Sequence, residues 1–214
     1  MRIDSVEIIN YRQYRNVSFE FVKGKVYDLH IINGKNGMGK TNFLNSITWC
    51  LYNEEPHLGK KNSGKPRINT TVLKEAIEAG IEKVPIIVKI TISDNGETLI
   101  FERKQDYSTV GEGFEYKSNF SVTYMEKGGE TKIFSDSETP NNFVNMYMPR
   151  NIKEYFFFDG EQLEKYFINE QGSKIKDAIH VISQVQLLSS MRERLQNVIG
   201  DLQNEAGKKN KDLD

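Results

Sequence analysis

Residues 34–41, with the sequence GKNGMGKT, carry the clearest chemical pattern in the chain. They match G-x-x-x-x-G-K-[ST], in which glycines allow a tight turn whose N–H groups, with the positive end of a following helix, form a nest for phosphate oxygens. In such a loop the lysine reaches the β and γ phosphates and the hydroxyl residue holds Mg²⁺. The pattern therefore predicts a nucleotide site in which Lys40 contacts phosphate and Thr41 contacts the metal.

The flanking sequence supplies the elements that such a loop requires. The mostly apolar run 26–32 predicts a strand buried on both faces, and the apolar spacing over 40–52 predicts a helix. The expected order is therefore strand, glycine loop, helix. Trp49 and Cys50, on that helix, are expected to pack in the core rather than to take part in chemistry.

Antiparallel strands are expected on either side of this unit. Apolar runs separated by turn signals such as Asn-Gly and Gly-Gly predict strands at 3–9, 17–21, 86–92, 98–103, 120–125 and 131–134. The last four form a meander of two β-hairpins, inserted after the glycine-loop helix. Residues 53–71 are expected to be a loop, and 72–79 and 140–148 short helices.

The C-terminal part predicts one more strand and a long helix. The run 155–158, Tyr-Phe-Phe-Phe, is typical of a second buried strand, and Asp159 ends it. From residue 162 onward there is no proline, and apolar residues recur at steps of three and four, most regularly over 188–202. Because that regular stretch covers only about two heptads, a coiled coil and a surface helix packed on the domain both remain open.

Parts needed for ATP hydrolysis are missing from the sequence. Hydrolysis requires groups that hold the metal's water, place the attacking water and stabilise the transferred phosphoryl group. No apolar run ends in Asp-Glu, since Lys89 interrupts the best candidate at 86–94. Nor is there a Ser-Gly-Gly sequence, because Gly128 and Gly129 follow Lys127. The catalytic half is expected on a continuation of this chain or on another chain.

Composition excludes several classes of protein. The chain has 214 residues, a formal charge of −1 and a pI of about 6.4, so a nucleic acid would have to be held by a local basic patch. The single cysteine rules out an internal disulfide, and no apolar run approaches the roughly 20 residues that span a bilayer. We expect a cytoplasmic protein with no membrane partner. A basic stretch, either solvated or in contact with DNA phosphates, comprises Lys35, Lys60, Lys61, Lys65 and Arg67.

These patterns resemble the SMC-like and RecF-like branch of the ABC ATPases, which includes the break-repair ATPase that partners the Mre nuclease. The resemblance is carried by residues 10–12, the loop at 33–42, the inserted meander, residues 149–152 and the outgoing helix. Within that branch, the sequence at 155–161 looks most like the subgroup that contains DndD, associated with DNA phosphorothioation, and the SMC-like subunits of Lamassu-type anti-phage systems.

The resemblance implies an α/β P-loop NTPase fold. Residues 1–170 would be the N-terminal lobe of an ABC-type ATPase head, and 171–214 a helix that starts a coiled-coil arm. A C-terminal lobe, in the same or a separate chain, would complete a head that binds ATP and Mg²⁺ and forms a homodimer. ATP-driven dimerisation would act on double-stranded DNA in repair, DNA-end sensing or anti-phage defence, and would control a partner nuclease or effector. The chain alone is expected to be inactive as an ATPase, and in a bacterium it would be associated with the nucleoid.

The resemblance also implies a metal ligand beyond the glycine loop. Asp159 occupies the position at which the family has a glutamine that contacts Mg²⁺ and the water, and a carboxylate there is able to ligate Mg²⁺. Glu161 and Gln162 remain alternatives for this role, and so does a capping role for Asp159 in a strand-to-helix turn. The catalytic candidates are then Lys40 and Asp159, and the metal ligands Thr41 and Asp159.

Nucleotide-binding residues are implied in three segments. The loop forms the phosphate cradle, Arg12 approaches the phosphates or else lies in solvent, and residues 65–69 meet the base and ribose. The implied binding residues are Arg12, Gly34, Asn36, Gly37, Met38, Gly39, Lys40, Thr41, Asn42, Lys65 and Arg67.

Two other classes of function are compatible with a P-loop. A kinase or small GTPase complete in one chain predicts a catalytic Asp or a specificity motif on a later parallel strand, whereas an antiparallel meander follows here. A nucleotide-binding interaction module would bind ATP without hydrolysing it and would use the long helix to recruit a partner.

Overall fold

The structure is a computed structural model that describes residues 1–24, 28–58, 65–111 and 113–157. The chain forms two compact units, Met1–Lys153 and Glu154–Asp214. The predicted long helix and the domain boundary near residue 170 lie outside the described residues, as do Lys60, Lys61, Asp159, Glu161 and Gln162.

One antiparallel sheet forms the body of the first unit. Its strand order is β2-β1-β3-β4-β6-β7, and β5 pairs with β4. The N-terminal hairpin and the predicted meander therefore belong to the same sheet, joined where β1 pairs with β3. The strands are β1 (Arg2–Tyr11), β2 (Tyr14–Glu20), β3 (Lys83–Asp94), β4 (Glu97–Ser108), β5 (Phe114–Glu115), β6 (Asn119–Met125) and β7 (Thr131–Phe134).

The hairpins that the sequence predicts are present. In the first, Asp94 pairs with Glu97, and the two residues between them, Asn95 and Gly96, have φ angles of 50° and 89°. A two-residue turn with both φ angles positive matches the twist of the flanking strands, which explains the preference for Asn-Gly. The hairpin of β6 and β7 is likewise confirmed.

Burial alternates along the two central strands. Successive side chains of a strand point to opposite faces. On one face of the sheet, the fully buried residues of β3 and β4 are Ile86, Val88, Ile90, Ile92, Leu99 and Phe101. The helix α1 (Lys40–Tyr52) covers that face, since the Cys50 thiol donates to the carbonyls of Val88 and Phe101. The core of the unit lies between this helix and the sheet.

Helix α1 agrees with its prediction in both bounds and burial. It begins after Gly39 and ends before Asn53, both in the left-handed region with φ angles of 103° and 60°. Trp49 and Cys50 have no exposed surface, which confirms that they are core residues. Burial raises the pKa of the Cys50 thiol to about 12, so it is a neutral packing group.

Two short helices also follow their predictions. In α2 (Thr70–Glu78), the Asn69 carboxamide oxygen caps the start by accepting from the N–H groups of Thr71 and Val72. Helix α3 (Thr139–Tyr147) is followed by a 3₁₀ turn (Arg150–Ile152) and by α4 (Lys153–Phe156). Among the described residues, no helix combines the length and the apolar character needed to cross a membrane.

Two predicted strands are wrong in the described residues. Residues 28–32 form no strand, and Leu29 and Ile31 are 78% and 84% exposed. Tyr155 and Phe156 belong to α4 rather than to a strand. A strand buried on both faces needs neighbouring strands and covering helices. Within the described residues no strand pairs with either segment, so neither acquires the partners that its apolar sequence requires.

Replacing Ile90 with alanine is expected to lower the free energy of unfolding by about 2–5 kcal/mol, because the change leaves a cavity under α1. The matched control is Lys89→Ala on the opposite face, whose partly exposed ion pair with Glu102 contributes about 1 kcal/mol or less. Urea unfolding of the full chain, followed by circular dichroism, measures both. Equal losses in the two variants would contradict this assignment of the core face.

Candidate nucleotide-binding site

The glycine loop is an open turn in front of α1. Gly37 and Gly39 have φ angles of 82° and 103°, which residues other than glycine rarely adopt. The Met38 N–H donates a hydrogen bond to the carbonyl of Lys35 at 3.2 Å. Much of the loop faces solvent: the exposed residues are Asn36, Gly37, Met38, Lys40 and Thr41, whereas Gly34, Gly39 and Asn42 are half-buried.

The start of α1 presents unpaired N–H groups. The first N–H that bonds within the helix is that of Phe43, which donates to the Gly39 carbonyl at 2.8 Å. The N–H groups of the preceding residues have no carbonyl one turn earlier in the helix, and Gly39 has no side chain to cap them. Together with the positive end of the helix dipole, these groups favour a bound anion.

The lysine of the motif lies across the loop. Its ammonium group, Lys40 Nζ, donates to the carbonyls of Gly34 and Lys35, the latter at 3.1 Å. The following residue, Thr41, is exposed in the first turn of α1. A cation and a hydroxyl therefore stand beside the N–H groups, which fits ATP with Mg²⁺ by charge and by donor type.

The turn between β1 and β2 holds the end of the loop. The Tyr14 hydroxyl donates to the Gly39 carbonyl at 3.1 Å, and the Asn42 carboxamide donates to Gln13 Oε1 at 2.5 Å. A Cβ on Gly39 would lie 1.4 Å from Gln13 Nε2. Glycine is required here by its φ angle of 103°, whereas the amide at the end of the flexible Gln13 side chain is able to turn away from a Cβ.

A buried carboxylate joins the two candidate arginines. Glu55 accepts hydrogen bonds from the Tyr11 hydroxyl and from Arg12 Nε, the latter at 2.9 Å. Arg67 Nε lies 2.8 Å from the other Glu55 oxygen, an ion pair whose angles do not make it a hydrogen bond. The side chains of Arg12 and Glu55 are only 9% and 7% exposed. Glu115 pairs with Arg67 on its other side.

Arg12 is therefore not a solvated surface residue. Its φ angle is 48°, and its N–H donates to the Arg67 carbonyl at 2.5 Å, which ties the two segments together. Burial alone would lower the pKa of Arg12, but the hydrogen bond and the charge of Glu55 raise it. Burial, followed by the charge of Glu55, raises the pKa of Tyr11 well above its usual value. Arg12 thus stays cationic and Tyr11 neutral.

Two neighbouring cavities bring the candidate residues of different segments together. One, of about 450 Å³, is lined by Arg12, Gln13, Asn42 and Lys65 among others, and so lies beside the first turn of α1. The second, of about 460 Å³, is lined by Arg12, Glu55, Lys65 and Arg67. The metal and catalytic roles of Asp159 stay predictions outside the described residues.

Gln13, Tyr14 and Glu55 escaped the sequence analysis. Glu55 lies in a stretch that reads only as a polar loop, and its partners Arg12 and Arg67 are 43 and 12 positions away. Gln13 directly follows residues 10–12, which carry part of the family resemblance, and this position is the sequence feature that could have pointed to Gln13.

Known proteins are similar to this chain over most of its length. A family model described as AAA domain matches residues 5–214. The DNA replication and repair protein RecF of Carboxydothermus hydrogenoformans is 28% identical over 135 residues, which are 63% of this chain and 30% of that protein. RecF of Clostridium perfringens is 25% identical over 163 residues, 73% of this chain and 41% of that protein. The chain thus spans less than half the length of these curated relatives.

A solved structure was also found to be similar. It comes from work on ATP-driven dimerization and DNA-stimulated activation of SMC ATPases, with a TM-score of 0.41 and 14% identity over 85% of this chain and 99% of the other.

The family match and the relatives agree with the broader expectation of an SMC-like and RecF-like ATPase head, and the described strands and helices agree with the expected α/β fold class. The narrower likeness to the DndD and Lamassu-type subgroup stays a prediction. With 210 of its 214 residues matched, the chain belongs to the AAA domain family.

Proposed function

We propose that this chain is the ATP- and Mg²⁺-binding N-terminal lobe of an SMC-like or RecF-like ATPase head that acts on DNA. The observation that carries the proposal is the glycine loop in front of α1, with two positive-φ glycines, a lysine across the loop and unpaired N–H groups at the helix start. These features fit a triphosphate in charge and in the type of hydrogen-bond donor.

Different residues of the chain would bind different parts of the nucleotide and its metal. Lys40 would exchange the carbonyls of Gly34 and Lys35 for phosphate oxygens, and Thr41 would turn its hydroxyl toward the metal. Arg12 and Lys65, which line the cavity beside α1, would hold the remainder of the nucleotide. Bound ATP with Mg²⁺ supplies the bond to be cleaved and the metal charge.

A second lobe is proposed because this one exposes an apolar segment and lacks catalytic motifs. The apolar residues Leu29 and Ile31 lie exposed on a segment that reads as a buried strand, directly before the glycine loop. The RecF relatives are also more than twice as long as the matched part of this chain. A C-terminal lobe, in the same or a separate chain, would cover this segment and supply the missing catalytic motifs.

The proposed action on DNA rests on the relatives, which are DNA replication and repair proteins. ATP would bring two heads together, hydrolysis would separate them, and the cycle would act on double-stranded DNA. Control of a nuclease or another effector, and a role in anti-phage defence, follow from the resemblance in sequence.

Replacing Lys40 with alanine is expected to weaken ATP binding by about a hundredfold, roughly 2.7 kcal/mol, because a charge-assisted contact with phosphate is lost. Calorimetry of the full chain with ATP and Mg²⁺ measures the change. The control is Lys74→Ala, an exposed lysine on α2. If Lys40→Ala binds ATP as the unchanged chain does, the glycine loop is not the nucleotide site.

The chain alone is expected to hydrolyse no ATP above the uncatalysed rate, because positioning and charge stabilisation from a second lobe are missing. Combined with a lobe that carries Ser-Gly-Gly and Asp-Glu motifs, it is expected to hydrolyse ATP, with a rate per head that rises with head concentration as dimers form. Phosphate release measures both states, and a head that contains Lys40→Ala is the control. Tight ATP binding without turnover in the combined head would favour a non-hydrolysing interaction module instead.

Replacing Glu55 with glutamine is expected to weaken ATP binding about tenfold, roughly 1.4 kcal/mol. Without its charge, the Arg12 and Arg67 guanidinium groups repel each other and leave their positions on the cavity walls. The matched control is Glu75→Gln, which removes an exposed carboxylate paired with Arg15. Calorimetry on folded protein separates this effect from a loss of stability. Unchanged or tighter binding would show that Glu55 does not position these arginines for ATP.

A further inference from the structure

A third cavity, of about 880 Å³, lies at the other end of α1 from the glycine loop. Its walls come from the residue after α1, from β4 and β6, and from the segments before β6 and α3. The charged side chains on the walls include Arg67, Glu102, Arg103, Lys117 and Asp136, and the Ser118 hydroxyl lies among them. Further hydroxyl and amide side chains on the walls include Asn119, Ser121, Ser135 and Ser137.

The base of this cavity is a buried cation. Arg103 occupies a core-facing position of β4, where alternation calls for an apolar residue, and it is 6% exposed. Its Nε donates to the Cys50 carbonyl at 2.8 Å, Nη1 donates to Ser118 Oγ at 3.1 Å, and its guanidinium lies 4.3 Å from the Phe120 ring centre. Burial lowers the pKa of Arg103 to about 10, so its charge is poorly compensated.

No carboxylate in the described part of the chain pairs with Arg103. The two acidic residues on the cavity walls are engaged elsewhere. Glu102 pairs with Lys89 at 3.2 Å, and Asp136 accepts from the N–H groups of Glu138 and Thr139 at 2.8 and 2.6 Å. Neither one is therefore available to balance the buried guanidinium.

Capping of α1 explains only part of this arrangement. The carbonyl end of a helix carries a partial negative charge and accepts from cations, and Arg150 also donates there, to the Tyr52 carbonyl at 3.0 Å. One donor of Arg103 suffices for its capping bond. A guanidinium has five N–H donors in a planar fork, and within the described residues Arg103 uses only Nε and Nη1 in hydrogen bonds. Nη2 is left for a group in the cavity.

The other cations of the cavity add to the positive potential. Lys117 is exposed on the wall beside Ser118, and no ion pair is found for it among the residues that the structure describes. Arg67 faces the same space, although Glu55 and Glu115 neutralise it. A guanidinium fork, an ammonium and several hydroxyls are the donors that phosphate oxygens select.

We propose that this cavity binds a phosphate group, held by Arg103 Nη2, the Ser118 hydroxyl and the Lys117 ammonium. The site is separate from the glycine loop, and its ligand touches the residue that caps the far end of α1. The phosphate belongs either to a small phosphorylated compound or to a nucleic-acid backbone, and the same donors serve both.

The test uses the full chain with Lys40→Ala, which weakens the glycine loop as a competing phosphate site. Calorimetry with inorganic pyrophosphate and, separately, with a short DNA duplex measures the affinity of each probe. Added to this background, Lys117→Ala and Ser118→Ala are each expected to weaken binding about five- to tenfold, and Lys74→Ala to leave it unchanged. Neither Lys117 nor Ser118 is buried, so these variants are expected to fold.

Arg103→Lys is the more direct variant. It keeps the charge but removes the fork, and it is expected to weaken binding more than either surface variant. Its circular dichroism and melting temperature establish whether it folds, and if it does not, the Lys117 and Ser118 variants decide alone. Binding of pyrophosphate identifies a small compound as the source, and binding of the duplex alone identifies a nucleic acid. Absence of binding for both probes, or binding that Lys117→Ala and Ser118→Ala leave unchanged, overturns the proposal.

Discussion

The burial of α1 against the sheet is the constraint on which the positions of the candidate residues depend. Trp49 stacks on Tyr11 of β1 with ring centres 5.6 Å apart, and Cys50 contacts the carbonyls of β3 and β4. A helix packed so closely cannot shift without opening the core. Its first turn, and the glycine loop before it, are thereby held against the turn between β1 and β2, while its last carbonyls meet Arg103 and Arg150.

Buried charge is the second organising feature. Removing an ionised group from water is costly unless an opposite charge and hydrogen bonds compensate. Glu55 meets this condition for Arg12 and Arg67, which lie on segments that share backbone hydrogen bonds. Arg103 meets it only in part, through a carbonyl, a hydroxyl and an aromatic face. The described residues thus include a compensated cluster beside the glycine loop and an under-compensated cation at the far end of α1.

Local sequence patterns predicted much of the described structure, and contacts between distant positions explain the rest. The bounds of α1 and the Asn95-Gly96 turn follow from short-range rules, and the structure has both. Residues 28–32 carry the apolar sequence of a buried strand, but a strand forms only where partners exist, and a sequence does not reveal which partners are present. The contacts of Glu55 join positions that are distant in the sequence, and local patterns do not predict such contacts. Arg103 had a local signal, a charge at a core-facing position of β4, that sequence reasoning did not use.

The exposed segment at 28–32 also has a consequence for how the protein is made. An apolar run without strand neighbours is a template for unwanted pairing with other chains. Asp28 and His30 alternate with Leu29 and Ile31, and the Asp28 carboxylate is fixed by Arg2 at 2.7 Å, so charge interrupts the run at its start. This segment is therefore an aggregation-prone stretch in newly synthesised copies, and its interspersed polar groups oppose that aggregation.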